Sequence, residues 1–261
     1  MYLKSKQDLK DKEFAVKIQE VKEKHRGYGV TRIATELQAG KQRISRIARK
    51  LDLDITPRRK KKPRKQENHN QSKLTYPNIT KNLYPIRPNA VWASDFTYIP
   101  FKNSFIYLAT ILDIFSREIV DFSIRTDHST DLVEEAFNHA KQRAAELPQI
   151  LHSDQGSEYK SESYTKLLKK HGINISMSKK ASPWENSFQE AFYSGFKFDL
   201  GATNRFQDKA QLIEAICGTI NYYNKERIHS ALKMSPSDFK NRYQEKIDSI
   251  TKNINLRYKA V

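Results

Sequence analysis

Three acids stand apart from the other carboxylates of this 261-residue chain: Asp95, Asp154 and Glu190. Asp95 lies within Val91-Trp-Ala-Ser-Asp-Phe-Thr-Tyr-Ile-Pro100, a strand pattern whose alternation puts Val91, Ala93, Thr97 and Ile99 on the same side as the acid. A charge among such neighbours is costly unless it is paired or binds a cation. Asp154 closes the strand Gln149-Ile-Leu-His-Ser153 and opens onto the turn Gln155-Gly-Ser157. The carboxyl ends of strands are where α/β sheets build their sites. Glu190 follows on a helix, with 35 residues between it and Asp154. One acid from each of three elements suits Mg²⁺ or Mn²⁺, which take oxygen ligands. Two such ions about 3.5–4 Å apart hold both the attacking and the leaving oxygen of an in-line phosphoryl displacement. Surface and capping roles are the alternative reading of the spacing alone.

The helix that carries Glu190 has a start signal of its own. Ser182, Pro183 and Glu185 read as an N-cap, a first-turn proline and a capping-box acid. Phe188, Phe192 and Phe196 repeat every four residues and mark a packing face, and Glu190, Ser194 and Lys197 share another. Glu185 is about 140° from Glu190 round the helix, so the two cannot face one site. Of the other polar residues, Glu158 reads as an outer ligand or a surface acid, and Asp113 and Asp121 as turn or edge charges. His152 reads as a packed histidine or one that supports Asp154. Arg227 and His229 suit phosphate binding or support of the C-terminal helix. Trp184 and Tyr222 suit core packing or stacking on an unpaired base.

Positioning these groups requires a mixed sheet. Residues 91–100, 104–112 and 118–125 read as a meander of three strands, followed by a helix over 130–146, a strand at 149–153, a helix near 161–171, a strand at 173–177 and the Glu190 helix. The order β-β-β-α-β-α-β-α makes an α/β sheet flanked by helices. Helices over 206–224 and from Pro236 to about 247 complete the core. Four segments follow: a small all-α module over 1–56, a basic linker over 57–87, the catalytic core over 88–247 and a tail over 248–261.

Charge is concentrated at the start of the chain. Residues 1–70 hold 21 of the 47 Lys and Arg against nine acids, a net +12 of the total +17. A polyanion, and nucleic acid in particular, is the partner such a surface selects. Within 8–52, breaks at Gly27-Tyr-Gly29 and Ala39-Gly40 separate three helices. In the third, Ile44, Ile47 and Leu51 pack, and Arg43, Arg46 and Lys50 line another face, as in the recognition helix of a helix-turn-helix; a solvated basic face is the alternative. Pro57-Arg-Arg-Lys-Lys-Lys-Pro-Arg-Lys65 reads as a tether whose Arg58, Arg59, Lys60, Lys61 and Lys62 follow a phosphate backbone. The single cysteine, Cys217, excludes an intramolecular disulfide framework. With no signal peptide and no apolar run long enough to span a bilayer, the expectation is an intracellular protein without a membrane partner.

The segments Trp92-Ala-Ser-Asp-Phe-Thr-Tyr98, Leu151-His-Ser-Asp-Gln-Gly-Ser-Glu-Tyr159 and Ser182-Pro-Trp-Glu-Asn-Ser-Phe-Gln-Glu-Ala-Phe192, with Phe196-Lys197, resemble the signature blocks of the Asp-Asp-Glu transposases. More closely, they are similar to the orfB type of bacterial insertion sequences, relatives of retroviral integrases. His25-Arg-Gly-Tyr-Gly-Val-Thr-Arg-Ile33 and Asn221-Tyr-Tyr-Asn-Lys-Glu-Arg-Ile-His-Ser-Ala-Leu232, with Ser235-Pro236, extend the match over roughly residues 20–245. The resemblance implies a ribonuclease-H-like core and a DNA transposase. In it, Asp95, Asp154 and Glu190 would hold two Mg²⁺ or Mn²⁺ ions, Lys197 would contact DNA, and water and then a 3′-hydroxyl would act as nucleophiles. It also implies double-stranded DNA as partner, at least a dimer on DNA, an upstream-frame protein as partner or fusion, and a bacterial cytoplasmic, nucleoid-associated location. A regulatory DNA-binding protein of the element is the alternative.

Overall fold

The computed structural model describes residues 6–56, 76–81, 83–179 and 186–258, with side chains through 252. The chain divides into two compact units. Glu226–Ser235 clusters with the N-terminal helices rather than with the core segment in which the sequence reading had placed it.

The N-terminal unit has three helices, α1 (Lys6–Lys24), α2 (Val30–Glu36) and α3 (Lys41–Lys50), separated at the two expected breaks. Its core is Ile18, Ile33, Ile44 and Ile47, all fully buried, closed by Tyr28 and Ile228. The Ile228 N–H donates to the Tyr28 hydroxyl at 2.6 Å, which ties the late segment to the first helices.

The second unit is built on a five-stranded sheet in the order β3-β2-β1-β4-β5. Its strands are β1 (Val91–Phe101), β2 (Ser104–Asp113), β3 (Ile119–Arg125), β4 (Ile150–Ser153) and β5 (Asn174–Met177). β1, β2 and β3 form the expected antiparallel meander, and β4 and β5 join it in parallel. Lys102 and Arg117 turn at positive φ at its two connections. Alternation along β1 sends Trp92 into the layer formed with α4 (Thr130–Arg143) and α6 (Glu162–Lys170). Val91 and Ala93 go into the opposite layer, against α7 (Ser187–Leu200) and α8 (Lys209–Lys225). Asp113 is the turn acid expected, and it is buried: it accepts from the Asn89 and Ser116 N–H groups and from the Ser116 hydroxyl, which pins the start of β1 to the end of β2.

Three elements differ from expectation. A short helix, α5 (Ser157–Lys160), precedes α6, because Ser161 breaks the run and caps α6 by accepting from the Tyr164 N–H. The last helix, α9 (Pro236–Tyr258), runs well past 247 into the stretch expected to be a tail. In α7 the buried positions are Gln189, Phe192, Tyr193, Gly195, Phe196 and Leu200, whereas Phe188 is 39% exposed and lies under the Arg117 guanidinium at 3.7 Å. The capping residues Ser182, Pro183 and Glu185, and Trp184, lie outside the described residues, as do Arg58, Arg59, Lys60, Lys61 and Lys62. Among the described residues, no helix is long and apolar enough to cross a membrane.

Candidate active site

The register of β1 and β4 brings two of the three acids together. The strands run parallel with Val91 opposite Ile150, Trp92 opposite Leu151 and Ala93 opposite His152. Continuing that register by two residues sets Asp95 beside Asp154 on the same face, at the carboxyl end of β4 and about one strand spacing, ~5 Å, apart in backbone. That face is the one covered by α7.

α7 is locked onto the sheet at this point. Gln189 donates its amide to the Ala93 carbonyl at 2.7 Å and to the Thr110 carbonyl at 3.2 Å, and accepts from the Thr110 hydroxyl at 3.0 Å. One turn later the Tyr193 hydroxyl donates to the carbonyl of Asp95 itself at 2.6 Å. With Gln189 and Tyr193 pointing into the sheet, Glu190 and Lys197 stand on the adjoining exposed flank. Lys197 rests its ammonium 4.9 Å from the centre of the exposed Tyr98 ring.

Asp95 feels the charges of the other two acids. Asp95 is half-buried, and its carboxyl is pushed up to about 7: burial contributes most, then the charge of Asp154, with Glu190 adding to both. The Phe96 N–H, which donates to Asp95 at 2.9 Å, and the Lys197 charge oppose the rise. Burial also raises Asp154, opposed by the Gly156 N–H that donates to its Oδ1 at 2.9 Å. Burial raises Glu190 too. Lys197, its own pKa lowered by burial, is the cation whose charge Asp95 feels. Among the described residues, no three His, Cys, Asp or Glu side chains already stand in a metal-holding cluster. The donor set itself fits a hard divalent cation: carboxylate oxygens with mutual repulsion to relieve.

Two family models, both described as an integrase core domain, match residues 85–183 and 171–236. The transposase for insertion sequence element IS904 of Lactococcus lactis subsp. lactis (strain IL1403) is 34% identical over 245 residues, which is 90% of this chain and 96% of that protein. The chain belongs to the insertion-sequence transposases. The putative transposase InsK for insertion sequence element IS150 of Escherichia coli (strain K12) is 29% identical to this transposase over 232 residues, 86% of the chain and 82% of InsK. Among solved structures, the simian T-cell lymphotropic virus intasome in complex with PP2A regulatory subunit B56 gamma superposes with a TM-score of 0.54 at 15% identity, over 81% of this chain and 74% of that one. The transposase core thus has the ribonuclease-H-like fold of integrases, and the protein is a polynucleotidyl transferase that acts on DNA.

Several of the basic residues read as DNA contacts also make contacts within the transposase. Arg46 makes a bidentate pair with the fully buried Asp11, at 2.7 and 2.8 Å, and Lys50 reaches Asp8 and Asp11. The Arg46 guanidinium holds Asp11 far below the usual carboxylate range. Arg43 spreads over the Phe14 ring at 3.9 Å. These contacts tie the basic face of α3 to α1, while Arg43, Arg46, Arg49 and Lys50 all stay exposed. Arg227 is buried, and His229 sits in a tight turn in which its N–H donates to the Met234 carbonyl and its own carbonyl accepts from Leu232 and Lys233. Both belong to the N-terminal unit.

The sequence reading gave no role to Gln189, Tyr193 or Gly156. A Cβ on Gly156 would stand 3.1 Å from both Asp154 Oδ1 and Glu158 Oε2, so the missing side chain is what lets those acids approach. Glu158, nearly buried, accepts from His128 at 2.9 Å and from the Ser157 hydroxyl, and its charge helps to raise Asp154. His152 is buried between the hydroxyls of Thr80 and Ser176, a packed histidine as read. A signal for Gln189 was present: a polar residue three before Phe192, on the apolar face of an otherwise periodic helix.

Proposed function

We propose that Asp95, Asp154 and Glu190 are the metal-binding acids of this transposase, serving strand cleavage at the ends of its element and transfer of the resulting 3′-hydroxyls into DNA. The observation that carries this reading is the parallel pairing of β1 with β4, which sets Asp95 beside Asp154, under a helix bonded to the Asp95 carbonyl. When bound, Mg²⁺ or Mn²⁺, in a pair, would neutralise the acids and stabilise the attacking and leaving oxygens of an in-line displacement. The protein's own part is to hold three carboxylates on rigid elements, with Gln189 and Tyr193 fixing α7 and the Gly156 N–H orienting Asp154. Lys197, on the Glu190 flank, binds a phosphate beside the reacting one. The basic stretch at Arg58–Lys62 supplies charge for DNA backbone, and pairing two element ends calls for at least two copies on DNA.

The test is nicking of a labelled duplex that carries the terminal inverted repeats of the transposase's own element, in Mg²⁺ or Mn²⁺. Asp95→Asn, Asp154→Asn and Glu190→Gln should each lower the rate by about 10³-fold or more while duplex binding persists. Cleavage at the parent rate by any of the three would remove that residue from the site.

A further inference from the structure

Two stretches singled out in the sequence, His25–Ile33 and Asn221–Leu232, take no part in the carboxylate chemistry, and in the structure they meet. The Tyr28 hydroxyl accepts from the Ile228 N–H at 2.6 Å, Arg32 donates to the Ser230 hydroxyl at 3.2 Å, and Lys24 pairs with Glu226 at 3.3 Å. Ile228 joins the apolar cluster of Ile18, Ile33, Ile44 and Ile47. Those four isoleucines are fully buried and already make a core for three helices. What Glu226–Ser235 adds to them is mostly polar and directional, and exposed pairs such as Lys24–Glu226 contribute little stability. Directional bonds fix orientation.

The segment is also rigid by its own bonds. The His229 N–H donates to the Met234 carbonyl, and the Leu232 and Lys233 N–H groups donate to the His229 carbonyl, which closes the turn on itself. Its roots in α8 and α9 are held as well. The Asn224 side chain bonds both the N–H and the carbonyl of Ile119 at the start of β3. Ser237 and Lys240 bond the Glu118 carboxylate, and Phe239 and Tyr243 pack on Phe115. The tip is thus seated in the helical core and both roots are fixed to the sheet.

We propose that Glu226–Ser235 is a clasp that sets the spacing between DNA held by the N-terminal helices and the phosphate cut at the carboxylates, and so determines the nucleotide at which the transposase nicks. The N-terminal helices carry charge for that binding: residues 1–70 hold 21 of the 47 Lys and Arg, and Arg43, Arg46, Arg49 and Lys50 are exposed. With the clasp open, the helices are joined to the sheet only through the chain from Pro57 onward. A flexible chain of about twenty residues ranges over roughly 25 Å, which is several base pairs of duplex. The proposal rests on the carboxylate reading for the cut and on the N-terminal helices for binding.

The test maps nicks at single-nucleotide resolution on an end-labelled duplex carrying the terminal repeat, with the full-length protein in Mn²⁺, and measures binding of the same duplex by anisotropy. Ile228→Asp puts a charge in the apolar seat, and Tyr28→Phe with Ser230→Ala removes the two hydroxyl acceptors. The parent should nick at one position. Both variants should bind within about twofold of the parent, yet the fraction of nicks away from that position should rise at least fivefold; Ile228→Leu should keep the parent pattern. Variants that melt lower but nick where the parent does would overturn the proposal, as would a parent whose nicks are scattered. Should Ile228→Asp fail to fold, the Tyr28→Phe, Ser230→Ala protein decides. The underlying readings have separate readouts: Asp95→Asn should abolish nicks at every position, and Arg49→Glu should weaken duplex binding at least fivefold without moving the nick.

Discussion

Asp95 carries the most consequence of any single residue. It sits in a strand among Val91, Ala93 and Ile99 and meets the charges of Asp154 and Glu190, with the Phe96 N–H and Lys197 opposing them. The apo protein therefore stores repulsion that a cation or a neutral side chain relieves. In EDTA at neutral pH, Asp95→Asn should raise the melting temperature by roughly 2–6 °C, from ~1–2 kcal/mol after allowance for solvent screening. Mg²⁺ should raise the melting temperature of the parent and leave that of Asp95→Asn unchanged; calorimetric scans with and without the ion check both. The sequence alone made this residue conspicuous, because a charge in an alternating apolar strand needs an explanation. Gly156 was less legible: its role depends on Glu158 turning back toward Asp154, and nothing in the local pattern signals that.

At the scale of the element, α7 is a lever whose fulcrum is Gln189. Its amide satisfies carbonyls on two strands, so the helix cannot slide along β1 without breaking buried hydrogen bonds. Gln189→Leu should destabilise the core by about 1–3 kcal/mol, measured by urea unfolding, because it leaves the Ala93 and Thr110 carbonyls unpaired. It should also slow nicking by displacing Glu190. A variant as stable as the parent would show that α7 is held by Phe192 and Phe196 alone. The repeat of Phe188, Phe192 and Phe196 located the helix and its approximate face, yet it misjudged the phase. Phe188 is turned out to meet Arg117 from the β2–β3 connection, a contact between residues 71 apart that no local periodicity encodes. The strands were legible because each alternates or is uniformly apolar; the break that makes α5 a separate turn came from one serine cap.

At the scale of the whole molecule, the two units answer to different chemistry. The N-terminal unit buries His25, stacked on Tyr28 at 4.3 Å, and its pKa is pushed down to about 4. Burial is the main cause, with Lys24 and Arg227 adding and Glu226 opposing. The unfolded chain takes up this proton near 6.5 and the folded one only near 4, so the stability this group contributes is present above about 6.5 and lost as pH falls toward 4. His25→Gln should flatten the pH dependence of this unit across that window, as followed by hydrogen exchange of α1 and α2 amides; an unchanged slope would move the cause elsewhere. The return of Glu226–Ser235 to this unit was invisible in the sequence, since it rests on one apolar residue, Ile228, its N–H on Tyr28, and the polar contacts Arg32–Ser230 and Lys24–Glu226, all between residues far apart in the chain. The pairing of Arg46 and Lys50 with Asp8 and Asp11 was not legible, because those acids are a helix away.

If Asp95 binds the catalytic ion, ligand softness at this position shows it most directly. Asp95→Cys replaces a hard oxygen with a sulfur that Mg²⁺ rejects and Mn²⁺ tolerates better. Nicking of an element-end duplex should be lost in Mg²⁺ and recover at least tenfold in Mn²⁺, against a parent whose two rates are closer. An Asp95→Cys protein with the same Mn²⁺ to Mg²⁺ ratio as the parent would contradict the account.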